Sequence, residues 1–127
     1  MASSPSDPAV ARALETDLTI DITTTGRRSG QPRRIEIWFL NIEGRVFITG
    51  TPGRRDWMAN LAADPRFTFH LKESVTADLE AEARTVEDEP TRRLVLEHAV
   101  ATWYRNQTPV DELVETAPMV EVTFLPG

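Results

Sequence analysis

Between residues 75 and 84 the chain alternates strictly, and that period of two sets the class of fold. Val75, Ala77, Leu79, Ala81 and Ala83 are apolar or small, while Thr76, Asp78, Glu80, Glu82 and Arg84 are polar. An extended strand with one buried face reads this way, because successive side chains point to opposite sides. Leu18, Ile20 and Ile22 alternate with Thr19, Asp21 and Thr23 in the same manner. Phe67, Phe69 and Leu71 alternate with Thr68, His70 and Lys72, and Val120, Val122 and Phe124 make a last short run. Residues 33–42 differ in being apolar on both faces, Ile35, Ile37 and Phe39 against Trp38, Leu40 and Ile42. That pattern predicts a central strand buried on both sides. Asn41-Ile42-Glu43-Gly44 supplies a turn, so residues 45–49 return as the second strand of a hairpin.

Two longer helices interrupt these six strands. Thr51-Pro52 reads as an N-cap and first helical residue, opening a helix that carries Trp57, Met58 and Leu61 and stops at Asp64-Pro65. A second opens at Asp88-Glu89-Pro90, with Leu96, Ala99, Val100 and Trp103 at helical spacing. Residues 10–16 form a candidate short helix before the first strand, and an acidic helical turn follows Pro109. Helices this few and irregularly placed do not wind a parallel sheet. The expected fold is mainly β: a six-stranded antiparallel β-barrel with peripheral helices. It occupies residues 17–127, behind a lead-in over residues 1–16 that is partly disordered or a short helix.

Composition removes several functions. Cysteine is absent from the 127 residues, which excludes disulfides, thiolate metal sites and cysteine nucleophiles. His70 and His98 have no partner at metal-ligand spacing, so no metal site is expected. No apolar run approaches the ~20 residues of a membrane helix. The first residues lack the basic and apolar regions of a secretory signal, so the expected location is cytoplasmic. A net charge of −6 argues against nucleic-acid binding, which needs a broad basic surface.

Against that acidic background one segment is cationic. Arg27, Arg28, Arg33, Arg34, Arg45, Arg54 and Arg55 lie between Gly26 and Trp57, opposed only by Glu36, Glu43 and Asp56. The loop from Gly26 to Pro32 combines glycine amides, the Ser29 hydroxyl and flanking arginines, a set suited to phosphate or carboxylate. Arg54 and Arg55 fall in the first turn of the predicted helix, whose free N–H groups also favour an anion. Exposed arginines that merely balance the acidic surface are the alternative for either cluster alone; two clusters joined by one hairpin favour a site for one elongated anion. Trp38 and Trp57 can wall a planar ligand or fill a core. Asn60, one turn beyond Trp57, can bond a heterocycle edge or a neighbouring backbone group. Tyr104, the only phenol, is the candidate proton donor. The residues alone imply binding of an anionic, aromatic small molecule.

T-T-G-R-R-S-G-Q-P-R-R before an aromatic strand, and G-T-P-G-R-R-D-W-M-A-N-L-A-A-D-P after it, resemble the deazaflavin-dependent nitroreductase family. That family belongs to the split β-barrel flavin/deazaflavin oxidoreductase superfamily, whose fold is FMN-binding-like. The resemblance runs from about Asp17 to the last strand. It implies a six-stranded split barrel, usually a homodimer, that binds coenzyme F-420, an 8-hydroxy-5-deazaflavin with a ribityl phosphate and an oligoglutamate tail. It implies an oxidoreductase that transfers a hydride from the reduced coenzyme to a quinone, enone or nitroaromatic. By position in the motifs, Arg28, Ser29 and Arg33 are expected at the tail and phosphate, with Arg54 and Arg55 as the second cationic cluster. Thr49, Gly50 and Thr51 approach the phosphate and ring, Trp57 and Asn60 lie beside the cofactor, and Ile35 and Trp38 back the ring. The family's frequent proline is Glu36 here, and Tyr104 is the only tyrosine available to an acceptor pocket. FMN on the same barrel, or heme, a tetrapyrrole or a lipid in a non-catalytic barrel, are the alternative occupants.

Overall fold

The computed structural model describes residues 4–126, so Met1, Ala2, Ser3 and the last residue of the chain lie outside the described residues. Seven strands make one antiparallel sheet: β1 (Thr19–Thr25), β2 (Pro32–Trp38), β3 (Leu40–Ile42), β4 (Arg45–Thr49), β5 (Arg66–Leu71), β6 (Ala77–Thr85) and β7 (Met119–Phe124). Their hydrogen-bonded order is β2-β1-β5-β6-β7-β4-β3. Only Phe39 separates β2 from β3, yet these strands sit at opposite ends of that order. In a flat sheet, strands six places apart would lie about 29 Å apart at a spacing of ~4.8 Å. Two Cα steps reach at most about 7.6 Å. The sheet must therefore roll up until its two edges meet at Phe39.

Phe39 fixes the meeting point. It is 2% exposed, its N–H donates to the Leu18 carbonyl at 3.0 Å, and its ring meets Phe69 edge-on at 5.3 Å. From there β3 pairs with β4 in the register Leu40↔Phe47 to Ile42↔Arg45. Ile48 and Thr49 run on in the other direction beside β2, which pairs only with β1 among the described residues. The barrel is closed at Phe39 and split beyond it.

This corrects the expectation for residues 33–42. They form two strands rather than one, giving seven instead of six, and both are edge strands rather than one central strand. Ile35 is 38% exposed. Its apolar side chain is wall to the split, which is why the segment reads as apolar on both faces. The strand that is buried on both faces is β4, where Val46 and Ile48 enter one apolar cluster and Phe47 the other. The β3–β4 turn is tight, with Glu43 at φ 53° and Gly44 at φ 87°, the paired positive φ values that favour a two-residue hairpin.

Inside the barrel, Ile20, Ile22, Phe39, Phe69, Leu79 and Val120 form the centre of the first cluster. Helix α1 (Pro8–Thr16), capped by the Asp7 carboxylate on the Ala9 N–H, adds Val10, Ala13 and Leu14. Helix α2 (Asp56–Ala63) adds Trp57 and Leu61. On the outer face of β3 and β4, Leu40, Ile42 and Phe47 are covered by α3 (Glu89–Glu97), a 3-10 turn (Ala99–Ala101), α4 (Thr102–Gln107) and α5 (Val110–Thr116).

Two helix boundaries differ from expectation. Helix α2 starts at Asp56, because Gly53 at φ +131° interrupts any helix begun at Thr51-Pro52. Arg54 and Arg55 consequently precede the helix instead of occupying its first turn. Helix α3 starts as expected behind Asp88, whose carboxylate accepts from the Thr91 N–H, but ends at Glu97 where His98 turns extended at ψ 150°. Val100 and Trp103, expected to continue a buried stripe with Leu96, are instead 45% and 47% exposed.

The helical layer is tied by one buried cation. Arg92 on α3 donates to the carbonyls of Val86, Leu113, Val114 and Ala117, at 2.9 Å for Val86 and 2.6 Å for Val114. Leu113, Val114 and Ala117 lie at the C-terminal end of α5, where the Leu113 carbonyl also accepts from the Ala117 N–H, the Val114 and Ala117 carbonyls lack helical partners, and the dipole favours a cation. Replacing Arg92 by Ala strands these buried acceptors, so the free energy of unfolding should fall by roughly 3–5 kcal/mol. Urea denaturation reads this as a lower midpoint, with Arg92→Lys recovering only part; a loss below ~1 kcal/mol would remove Arg92 as the tie.

Candidate functional site

The hairpin loop between β1 and β2 forms one wall of a chamber of about 320 Å³. The loop closes on itself through Gly26 N–H to Gln31 carbonyl and Gly30 N–H to Gly26 carbonyl, both 2.8 Å. A Cβ at Gly26 would lie 2.7 Å from Ser29 Oγ and 3.2 Å from the Gln31 carbonyl oxygen, so a larger residue there would displace the Ser29 hydroxyl. Ser29 Oγ accepts from the Gln31 N–H at 3.1 Å and from Arg33 Nη2 at 3.3 Å, which orients Arg33 from within the loop. Arg28 has no hydrogen-bond or ion-pair partner among the described residues. The facing wall is α2, with Asp56, Trp57 and Asn60, and Thr24 and Ile35 complete the lining. Arg27 belongs to the same loop, but its guanidinium is held by Asn60 Oδ1 at 3.0 Å and Asp56 Oδ1 at 3.3 Å.

A second chamber of about 420 Å³ lies in the split itself, between Ile35, Glu36, Ile37 and Trp38 of β2 and the Thr49-Gly50-Thr51 segment that leaves β4. Ile35 and Trp57 line both chambers, so the two form one cleft. Thr49 is fixed by donating its hydroxyl to the Pro118 carbonyl at 2.6 Å. Arg55 folds back on its own loop, donating Nη2 to Thr51 O and Oγ1, both at 3.0 Å. The far wall is aromatic: Trp103 stands edge-on to Trp38 and to Tyr104, each at 5.2 Å. Burial pushes the Tyr104 phenol up to about 12, so at neutral pH it is protonated. Past Thr51 and Trp103 the cleft continues into an open region of about 460 Å³ bounded by Pro52, Gln107, Thr108, Pro109 and Glu112.

Of the residues singled out from sequence, Arg28, Ser29, Arg33 and Asn60 line the first chamber. Trp38, Thr49, Gly50, Thr51, Arg55 and Tyr104 line the second, and Ile35 and Trp57 line both. Arg54 lines neither; its carbonyl accepts from Arg55 Nη1 at 3.1 Å in the loop that replaces the expected helical turn. Asn60 is committed to protein groups, as set out below. Sequence reading placed Arg27 among the anion-binding guanidinium groups of the loop, and missed Asp56 and Trp103 as parts of the cleft. Arg27 was visible as a charge but not as a strut, and Trp103 reads as core until the break at His98 is known. His70 is away from the cleft, buried between Thr23 Oγ1 and Asp78 Oδ1, each 2.7 Å from a ring nitrogen. Among the described residues no group of His, Asp or Glu is arranged to hold a metal ion.

A family model described as F420H(2)-dependent quinone reductase matches residues 4–120. Among solved structures, the fold is similar to that of a conserved hypothetical protein, Rv2991, from Mycobacterium tuberculosis. The two are 22% identical with a TM-score of 0.71, over 94% of this chain and 80% of that one. It is similar to an F420-H2 dependent reductase, FDR-A, at 20% identity and a TM-score of 0.58, over 84% of this chain and 95% of that one. A FAD-binding protein from Mesorhizobium loti is 12% identical with a TM-score of 0.70, over 98% of this chain and 94% of that one. At these identities the structures establish the fold: a curled antiparallel split barrel with peripheral helices.

Because Tyr104 is the only tyrosine, its titration can be followed directly by phenolate absorbance. The unfolded phenol ionises near 10 and the folded one near 12, so folded-state stability should hold below pH 10 and fall as pH rises from 10 to 12. Phenolate absorbance developing near pH 10 in the folded protein would contradict the buried placement.

Proposed function

This chain belongs to the F420H(2)-dependent quinone reductase family, and is thus an F420-dependent oxidoreductase; we propose that its acceptor is a flat, electron-poor quinone, enone or nitroaromatic bound in the aromatic chamber. The reduced deazaflavin coenzyme supplies a hydride when bound. The donor set fits that coenzyme, which is anionic at its phosphate and glutamates and flat and largely apolar at its ring. Arg28 has no protein partner among the described residues, and Arg33 donates only to the Ser29 hydroxyl. Two such guanidinium groups offer paired donors to phosphate or carboxylate oxygens.

The observation that carries the proposal is the junction at Ile35 and Trp57, where a cationic chamber opens into an aromatic one. In this reading Arg28 and Arg33 bind and neutralise the anionic end. Ile35, Trp38 and Trp57 exclude water around the ring and its acceptor. Thr49 keeps the β4 side of the cleft rigid through its bond to Pro118. Tyr104 Oη, protonated at neutral pH, is the proposed donor to the acceptor oxygen. Holding both reactants in one cleft removes the entropic cost of their encounter from the reaction step. A homodimer is the proposed assembly; a fold-similar structure, 20% identical with a TM-score of 0.58, is described as a domain-swapped dimer. The proposed location is the cytoplasm, and among the described residues no helix is long and apolar enough to cross a membrane.

Fluorescence titration of the protein with coenzyme F-420 and, in parallel, with FMN tests the cleft. The deazaflavin should bind at micromolar concentration or tighter and FMN much more weakly. Arg28→Ala and Arg33→Ala should each weaken deazaflavin binding by ~1–3 kcal/mol, roughly 5- to 150-fold in Kd. Unchanged affinity in both variants would remove the cationic chamber as the anion site, and preference for FMN would make the protein a flavin enzyme. With reduced coenzyme, Tyr104→Phe should lower kcat toward a quinone while leaving coenzyme Kd unchanged.

A further inference from the structure

Asn60 lies in the wall of the cationic chamber, where a carboxamide is well suited to bond a ligand directly. Its atoms are already engaged. Oδ1 accepts from the Arg27 backbone N–H at 3.1 Å and from Arg27 Nη1 at 3.0 Å. Nδ2 donates to Thr24 Oγ1 at 3.2 Å. A carboxamide offers two lone pairs and two N–H groups, so three of these four are used. The residue is 4% exposed and sits on α2, one side of a rigid element. Asp56, one turn earlier on the same helix face, takes Arg27 Nη2 at 3.3 Å, but its side chain is 91% exposed and this outer leg is weak.

We infer that Asn60 is a positioning residue: through Arg27 it holds the β1–β2 loop in its anion-binding shape, and it does not itself bond the coenzyme ring. Arg27, on this assignment, is a strut of the site and not one of its ligand-binding cations. The loop needs such a strut. It has glycines at positions 26 and 30, with Gly30 at φ +72°, and lies at the end of an edge hairpin. Glycine-bearing loops lose much conformational freedom when ordered. A loop already ordered in the free protein lets Arg28 and Arg33 meet an anion without that cost at binding. Both Arg27 bonds end on the same oxygen of Asn60, so the clamp has a single point of failure.

The inference rests on the proposed coenzyme site for its binding consequence, but not for its structural one. Three measurements on the full chain separate them: Kd for coenzyme F-420, Kd for the 5-deazariboflavin analogue that lacks phosphate and tail, and amide hydrogen exchange of the ligand-free protein. Asn60→Ala should raise the Kd for F-420 about tenfold while changing that for the phosphate-free analogue by less than about twofold. Arg27→Ala keeps the backbone bond to Asn60 and should have the smaller effect. The double variant should bind no more weakly than Asn60→Ala alone. Amides of residues 26–31 should exchange faster in ligand-free Asn60→Ala, with those of β5 and β6 unchanged. Equal weakening for both ligands would mean that Asn60 contacts the ring, and multiplicative losses in the double variant would mean independent roles. Either result, or unchanged exchange in the loop, overturns the clamp. Should Asn60→Ala not fold, Arg27→Ala at its exposed loop position carries the same exchange and two-ligand comparison. If the wild-type protein binds neither ligand, the coenzyme site fails while the exchange result still decides the clamp.

Discussion

Everything in this molecule depends on the single buried residue between β2 and β3. Because Phe39 joins the two ends of a seven-strand order, the sheet has to close, and because β3 is only three residues long, it closes at one end only. The unpaired stretch between β2 and the end of β4 is the cleft. Edge strands ordinarily need protection from pairing with other chains. Here the two edges approach each other, and β2 carries charged residues outward, Arg34 paired with Asp21 and Glu36 with Lys72. The same geometry that closes the barrel therefore produces an apolar-walled slot, with Ile35 of the β2 edge exposed into it between charged neighbours.

The arginines divide by what they touch. Among the described residues, Arg27, Arg34, Arg45, Arg84 and Arg93 pair with carboxylates, and Arg92 and Arg105 donate to backbone carbonyls. Arg12, Arg54 and Arg66 have no side-chain partner among the described residues and line no part of the cleft. Among the described residues Arg28, Arg33 and Arg55 are in the cleft without a counter-charge; Arg55 is turned onto Thr51 and the Arg54 carbonyl, which leaves Arg28 and Arg33 beside the β1–β2 loop. A net-acidic protein that leaves two guanidinium groups uncompensated beside one loop has a local preference for anions that its overall charge conceals. The chamber next to it is mainly aromatic, with Trp38, Trp57, Trp103 and a neutral phenol, beside Glu36 and Arg55. A ligand anionic at one end and flat at the other matches that sequence of environments.

Much of this was legible in the sequence. Strict alternation at 75–84 and 18–23 located β6 and β1, and the arginine-glycine loop located the cationic wall. Residues 33–42 were misread because an apolar residue facing a cleft has the same pattern as one facing a core. The register of the sheet, which the sequence does not encode locally, decides between them. The helix expected at Thr51 failed for a local reason, since a favourable N-cap and proline were overruled by a glycine at positive φ. Asn60 lines the cleft, but its engagement with Arg27 joins residues 33 apart and leaves no periodic signal. Trp103 reached the cleft only because His98 breaks a helix that periodicity alone would have continued.

The most direct test is a crystal structure of the protein with coenzyme F-420 bound. The expected result places the phosphate within hydrogen-bond reach of Arg28 or Arg33, the ring against Ile35 and Trp57, and open space for an acceptor toward Trp103 and Tyr104. A ring bound outside the split between β2 and β4, or an anionic end directed away from the β1–β2 loop, would contradict the assignment of the cleft.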